Sequence, residues 1–287
     1  NVYFQEKDLV NAEKYLVEVN RRTENKDAGY LTDLIIYYLE TNQGTKADAK
    51  YKSAMQSLSK DQAAVLANYM GEYYVNKSDL VKAQSYFSEA IKDSASKGSA
   101  ATAFRLGQIA ITNGNKEEAE KYFIMMNEKT EWKDEEALKV LGIFYLDTQN
   151  YDKAEETLKK AIAINSKNLE ARVILLELYE TKNDQNSVSR MISEIKAIQP
   201  VAVNKNLGIY FAEARNIILE KKYLRKAINE DKDNTSKVTL ATVYYNIGKV
   251  VEAKGLLNEA SKNGVKEADE ILQQIKEDEA KGNTTAK

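Results

Sequence analysis

Adjacent carboxylates at Glu117-Glu118, Glu135-Glu136 and Glu155-Glu156 are the first residues that could do chemistry. A close carboxylate pair can supply a general acid and a general base together. All three pairs, however, fall where first turns of helices are expected, and the helix dipole stabilises negative charge there. That reading is preferred. The chain contains no His and no Cys. Thiolate and imidazole chemistry are therefore excluded, and with them a disulfide, a Cys/His zinc site, a cysteine nucleophile and a Ser-His-Asp arrangement. No Gly-rich phosphate loop ends in Lys-Ser/Thr, and no dinucleotide fingerprint follows a strand. The inventory predicts a chain that is not an enzyme and takes no metal or cofactor.

Two weaker signals remain. The chain has 18 Tyr. Many fall at core positions of the pattern described below, while Tyr37, Tyr73, Tyr210 and Tyr245 are candidates for an aromatic recognition surface. Asn76, Asn234 and Asn283 each open an Asn-X-Ser/Thr triplet, which matters only in a glycosylating secretory pathway.

Charge and hydropathy narrow the partners. The 42 basic and 44 acidic residues leave a net charge of −2. That balance gives no electrostatic footprint for nucleic acid or an anionic membrane surface. The longest apolar run, residues 34–39, is far short of the roughly 20 residues that span a bilayer. A Cys-free composition is compatible with the cytoplasm and with a bacterial envelope, and the Lys and Asn content has a bacterial character.

The elements that carry these residues are expected to be helices. The chain is 43% hydrophobic and 30% charged, with one Pro and 12 Gly. So few breakers among so much Ala, Leu, Glu and Lys argue for an all-helical protein. A Leu-Gly pair or a variant of it then recurs as Leu34-Ile35, Met70-Gly71, Leu106-Gly107, Leu141-Gly142, Leu175-Leu176, Leu207-Gly208 and Leu240-Ala241. The spacings are 36, 36, 35, 34, 32 and 33 residues. Three residues after each pair comes Tyr38, Tyr74, Ala110, Tyr145, Tyr179, Phe211 or Tyr244, and twelve after it Ala47, Ala83, Ala119, Ala154, Val188, Glu220 or Ala253. A large apolar residue follows four later, as Leu158, and a small or apolar one three beyond, as Ala161.

Steps of three, four and seven lie on one helix face. Each repeat is thus two short helices that must pack together, because neither is stable alone. Small residues at the Gly142 and Ala154 positions let the helices approach, and Tyr145 fills the wedge between them. Enlarging Ala154 to Leu is expected to overpack that contact by about 1–3 kcal/mol. Gly44, Ser78-Asp79, Gly114-Asn115, Asn150, Asn183-Asp184 and Gly248 read as turns or caps inside the hairpins. Asp27, Gly98-Ser99, Asp134, residues 165–168, Gln199-Pro200 and residues 231–234 read as breaks between them. Asn115 and Glu118 have the spacing of a capping box.

Leu141, Gly142, Tyr145, Ala154, Leu158 and Ala161 together resemble the tetratricopeptide repeat, and Leu175, Tyr179 and Pro200 continue the likeness. The resemblance covers residues 1–265. It implies an all-α fold, a right-handed α-solenoid of helix-turn-helix repeats. About seven full repeats would follow an N-terminal half repeat carried by Tyr3, Ala12, Leu16 and Val19. Residues 1–265 would form the array and 266–280 a C-terminal capping helix with Ile271, Leu272 and Ile275 as its buried stripe. Residues 281–287 would be a mobile tail. The opening Asn-Val-Tyr-Phe-Gln has the look of a protease-tag remnant, but Tyr3 and Ala12 fit the repeat frame. The chain opens mid-pattern, so further sequence is expected before residue 1. Two departures stand out. Glu220 replaces the small residue, and no Gly or Asp lies between Ala212 and Leu219, so the two helices are expected either to run together or to turn irregularly there. The first repeats are 36 apart, so their loops are expected to be longer.

In this family the first helix of each hairpin lines a concave groove. The resemblance thus implies a non-catalytic scaffold that binds a peptide or protein in that groove. Positions two before the Leu anchor are Thr32, Asn68, Phe104, Lys139, Val173, Lys205 and Val238. Positions two after are Ile36, Glu72, Gln108, Ile143, Glu177, Ile209 and Thr242. A third set, Leu39, Val75, Ile111, Leu146, Glu180, Ala212 and Tyr245, is mostly apolar and either lines a greasy stripe or packs on the next hairpin. Asn68, Glu72, Gln108, Lys139, Ile143, Glu177, Lys205 and Tyr245 are the expected partner-binding residues. They do not reproduce the basic, Asn-rich clamp with which some family members grip an acidic C-terminal peptide. The alternative is a ligand- or peptide-responsive sensor module within a larger regulatory protein.

Overall fold

The computed structural model describes residues 9–92 and 99–280, apart from the side chains of Leu9, Val10 and Ser99. Tyr3, the Gly98 break, the Asn283 triplet and the expected tail at 281–287 lie outside the described residues. All regular structure among the described residues is helical. The chain divides into two compact units, residues 1–165 and 166–287.

The first unit holds α1 (Leu9–Arg22) and four hairpins. These are α2 (Ala28–Glu40) with α3 (Gly44–Ser57), and α4 (Lys60–Asn76) with α5 (Leu80–Ala90). Then come α6 (Ser99–Thr112) with α7 (Lys116–Lys129), and α8 (Glu135–Asp147) with α9 (Tyr151–Ile164). The second unit holds α10 (Leu169–Thr181) with α11 (Gln185–Ile198), α12 (Val203–Glu213) with α13 (Ile217–Asn229), and α14 (Thr235–Asn246) with α15 (Val250–Lys262). It closes with α16 (Lys266–Ala280). Each expected anchor pair lies in the first helix of its own hairpin.

One turn closes all seven hairpins. The first helix ends on a residue with positive φ: Asn42, Ser78, Gly114, Gln149, Asn183, Arg215 or Gly248. The next backbone N–H then bonds back to the carbonyl of the wedge residue, as from Asp79 to Tyr74 at 2.9 Å and Asn150 to Tyr145 at 2.7 Å. This is the Schellman arrangement, which satisfies carbonyls the helix end would leave bare. The turn expected to be irregular obeys the same rule. Arg215 takes φ 57, the Asn216 N–H bonds to the Phe211 carbonyl at 2.8 Å, and the Asn216 side chain accepts from the Leu219 N–H. An Asn cap suffices where Gly is missing, because a single left-handed residue costs only about 1–2 kcal/mol.

Three further expectations need correction, the first of them in part. The wide spacing of the first repeats is not in their hairpin turns. The first step lengthens α4, which runs 17 residues and begins a full turn earlier relative to its anchor than α8 does. The second step falls in the connection between hairpins, from the end of α5 at Ala90 to the start of α6 at Ser99, in keeping with the longer loop expected there. The left-handed residue before α3 is Asn42, and Gly44 already belongs to the helix. The Asn115 cap is also closed differently from a capping box. Its Oδ1 accepts from the Glu118 N–H at 3.1 Å, and its Nδ2 donates to the Glu118 carboxylate at 3.0 Å.

Packing inside each hairpin follows the small-against-large rule. A methyl group placed on Gly71 would sit 2.5 Å from the Phe87 ring, and one on Gly107 would sit 2.5 Å from Phe123. On Gly142 and Gly208 it would meet Leu158 and Leu224 at 2.7 Å. The facing Ala47, Ala83, Ala119, Ala154 and Ala253 are all buried. Successive hairpins are tied by buried amides. Asn127 Nδ2 donates to the carbonyls of Phe123 and Ala137, and Asn20 Nδ2 does the same to Leu16 and Tyr30. In the second unit α16 lays Ala268 and Ile275 into the core around Leu257, with Ile271 and Leu272 packed beside them.

Candidate partner-binding surface

The first helices α2, α4, α6 and α8 of unit 1 carry their anchor residues inward, so the residues two before and two after point to the opposite side. The two sets fare differently. Thr32, Lys139, Val173 and Val238, all two before an anchor, are buried. Lys139 is only 8% exposed, and its ammonium lies 2.5 Å from the Glu136 carboxylate. The positions two after the anchor are the more open ones: Gln108, Ile209 and Thr242 are exposed, and Ile36, Glu72, Ile143 and Glu177 are half-buried. The third, mostly apolar set is mixed. Ile111 is exposed, Leu39 and Val75 pack on core clusters, and Glu180 is buried.

Within unit 1 the structure brings Asn68, Glu72 and Gln108 to one place on α4 and α6. Arg105 is the hub. Its Nε and Nη2 reach the two Glu72 carboxylate oxygens at 2.7 and 3.0 Å, and Nη1 donates to Gln108 Oε1 at 3.2 Å. A bidentate fork of this kind holds both side chains in one geometry. Asn68 Oδ1 accepts from the Thr102 hydroxyl at 2.9 Å. Nearer α2, Tyr73 donates to Glu40 at 2.8 Å and Lys77 lies 2.7 Å from the same carboxylate. Those two bonds, Lys77's first, hold the Glu40 carboxyl below the ordinary range. A cavity of about 410 Å³ opens between α2 and α4, lined by Tyr30, Asp33, Ile36, Tyr69, Glu72 and Tyr73 among others. Burial pushes the Asp33 carboxyl up.

Unit 2 disperses its expected residues. Glu177 accepts from Asn216 Nδ2 at 2.7 Å. Lys205 Nζ donates to the Thr235 hydroxyl at 2.6 Å, with Asp233 at 3.8 Å. The Tyr245 hydroxyl donates to Asp278 of α16 at 3.4 Å. Lys205 lines a cavity of about 760 Å³ along α11–α13, where Lys196, Lys226 and Lys232 alternate with Glu230, Asp231 and Asp233. A second cavity, of about 430 Å³, lies between α10 and α12. Val173, Ile195, Leu207, Ile209 and Tyr210 form its apolar wall, and Glu170 and Glu213 supply its charge.

Several residues of this surface escape the sequence reading. Glu170 and Glu213 lie one helical turn beyond the positions of the repeat frame, and carrying Ile209 four residues on would have reached Glu213. Tyr30 and Tyr69, 42% and 46% exposed, are the most open aromatics of the α2–α4 cavity, whereas Tyr37 belongs to the core. The carboxylate pairs serve local ends. Glu118 meets Asn115, Glu155 and Glu156 pair with Lys159 and Lys160, and Glu135 accepts from Asn165. Among the described residues no helix is long and apolar enough to cross a membrane.

Comparison with known proteins places this geometry. Residues 100–124 and 136–168, the cores of the third and fourth hairpins, match the tetratricopeptide repeat family model. No curated protein matches the sequence. Among solved structures, a tetratricopeptide repeat protein from Parabacteroides merdae is 16% identical, with 84% of this chain and 96% of that one covered and a TM-score of 0.52. The C-terminal part of a TPR repeat-containing protein from Cytophaga hutchinsonii is 12% identical, covering 79% of this chain and 92% of that one, TM-score 0.51. BtubC from P. vanneervenii is 16% identical, covering 68% and 89%, TM-score 0.51. At these identities the likeness is one of fold. Residues 100–124 and 136–168 are thus tetratricopeptide repeats, and the same turn and the same small-against-large packing recur in the hairpins before and after them.

Proposed function

We propose that the chain is a non-catalytic scaffold that receives a peptide or a protein segment on the face formed by the first helices of its hairpins. One observation carries this reading. In each unit a cavity of peptide-binding size opens between successive first helices, and the repeat frame supplies its lining: Thr32, Ile36 and Glu72 in one, Val173 and Ile209 in the other. Pockets of small ligands and peptide anchors run to about 300–1,000 Å³, mostly apolar with a few placed polar groups. Both cavities fit that description. The half-open apolar residues at this face suit a helix or an extended segment with alternate apolar anchors.

The test is selection of a random peptide display library on the whole chain. Selected peptides should lose binding to Ile36→Arg or Ile209→Arg protein whose helical circular dichroism is unchanged. Peptides that bind both variants as well as the parent would place recognition on another face and defeat the reading.

A further inference from the structure

The cavity between α10 and α12 has a charge pattern that the surface around it lacks. Glu170 and Glu213 line it, and none of the described residues lining it is basic. The neighbouring cavity along α11–α13 mixes four Lys with three carboxylates, and the chain as a whole is balanced at 42 basic to 44 acidic residues. An all-acidic lining is therefore a property of this cavity and not of the protein. The wall between the carboxylates is apolar, built from Val173, Ile195, Leu207 and Ile209. Tyr210 sits in the same wall. It is half-buried, and its hydroxyl is pushed far up by burial first and then by the charges of Glu170, Glu177 and Glu213.

We propose that this cavity takes a lysine or arginine side chain of the partner, its aliphatic stem on the Val173–Ile209 wall and its charged head between Glu170 and Glu213. The proposal rests on the groove reading above and gives the partner segment a chemistry, basic with apolar flanks. Lysine and arginine are the side chains that join an apolar stem to a cationic head, so they satisfy wall and rim together. A bare metal ion would leave the apolar wall unused, and an acidic segment would meet only like charge.

The experiment uses the whole chain and three labelled peptides in which Leu alternates with Lys, Gln or Glu, followed by fluorescence anisotropy. The Lys peptide should bind at least about tenfold more tightly than the Gln peptide, as a close ion pair at a partly desolvated rim allows. Added salt should narrow that gap. The Glu170→Gln, Glu213→Gln double variant should lose it while keeping its melting profile and its affinity for the Gln peptide. Ile209→Arg should abolish binding of the Lys peptide. If the Gln peptide binds as tightly as the Lys peptide and still fails on Ile209→Arg, the groove reading stands and the basic partner is wrong. If the Lys peptide binds the double variant and Ile209→Arg unchanged, the cation goes elsewhere and the proposal falls. If no peptide binds this face, the groove reading falls and takes the proposal with it.

Discussion

Tyr223 of α13 donates its hydroxyl to Glu180 Oε1 of α10 at 2.6 Å, across 43 residues of sequence. Lys222 Nζ reaches the same carboxylate at 2.7 and 2.5 Å. The Glu180 side chain is 5% exposed, so its charge is held in the protein only because it is paired. Burial, then the bond to Glu180, lifts the Tyr223 hydroxyl far above the tyrosine range. Tyr223→Phe removes a donor from a buried acceptor and should cost about 1–3 kcal/mol in urea unfolding. Lys222→Met leaves the carboxylate without its counter-charge and should cost more, about 3–5 kcal/mol. Adding Glu180→Gln to Lys222→Met should recover part of that loss, because the two residues are in contact. Strictly additive losses would show that the ion pair is not coupled.

The glycine contacts predict a graded series. At Gly71 a new methyl group meets the rigid ring of Phe87, while at Gly142 it meets the branched end of Leu158. Replacing a mid-helix Gly by Ala gains about 0.8–1.0 kcal/mol of helix propensity. Overpacking costs about 1–3 kcal/mol, with the high end where the neighbour cannot yield. Gly142→Ala should therefore be near neutral and Gly71→Ala destabilising by thermal melting. Pairing Gly71→Ala with Phe87→Leu should restore most of the loss. Ala154→Leu has no such relief, because Ala154 is fully enclosed.

Seven hairpins were legible because each is a local contract. Gly142 and Leu158 are sixteen residues apart, so the frame that names one names the other. The turn at Arg215 was not legible, because a Schellman closure needs a left-handed residue and a cap, and neither has to be Gly or Asp. The site was legible by halves. Positions two after the anchor, such as Ile36 and Ile209, do line the cavities. Whether a residue two before is half-buried, like Asn68, or enclosed, like Val238, is settled by what packs beside its hairpin, and that leaves no mark inside one repeat.

Asn127 carries such a mark between hairpins. Its Nδ2 bonds to Phe123 in its own helix and to Ala137 at 3.0 Å in the next. Its Oδ1 is buried without a partner. Asn127→Ala should cost about 1–3 kcal/mol, the range for leaving a buried polar group unpaired. Asn127→Leu has about the right volume but fails the same bond, so it should be no better. Amide hydrogen exchange in the first turn of α8 should rise in both. Unchanged exchange there would show that the bridge does not hold the two hairpins together.

Glu220 stands where the repeat calls for a small residue, and it is 9% exposed. Burial raises its carboxyl above the ordinary glutamate value of 4.5, with Lys221 opposing weakly. A folded-state value above the unfolded one means the native protein holds its proton more tightly. In that window the native state binds more protons than the unfolded chain, so stability falls as pH rises through it. The penalty is complete above the folded value and absent below 4.5. Glu220→Ala restores the small residue of the repeat and should stabilise the protein by about 0.5–2 kcal/mol at neutral pH, the range for removing a local mismatch. The gain over the parent should shrink as the pH is lowered toward the ordinary glutamate value, read from urea midpoints at several pH values. A gain that is constant with pH would assign the improvement to packing alone, and a gain that grows on acidification would contradict the sign of the burial effect.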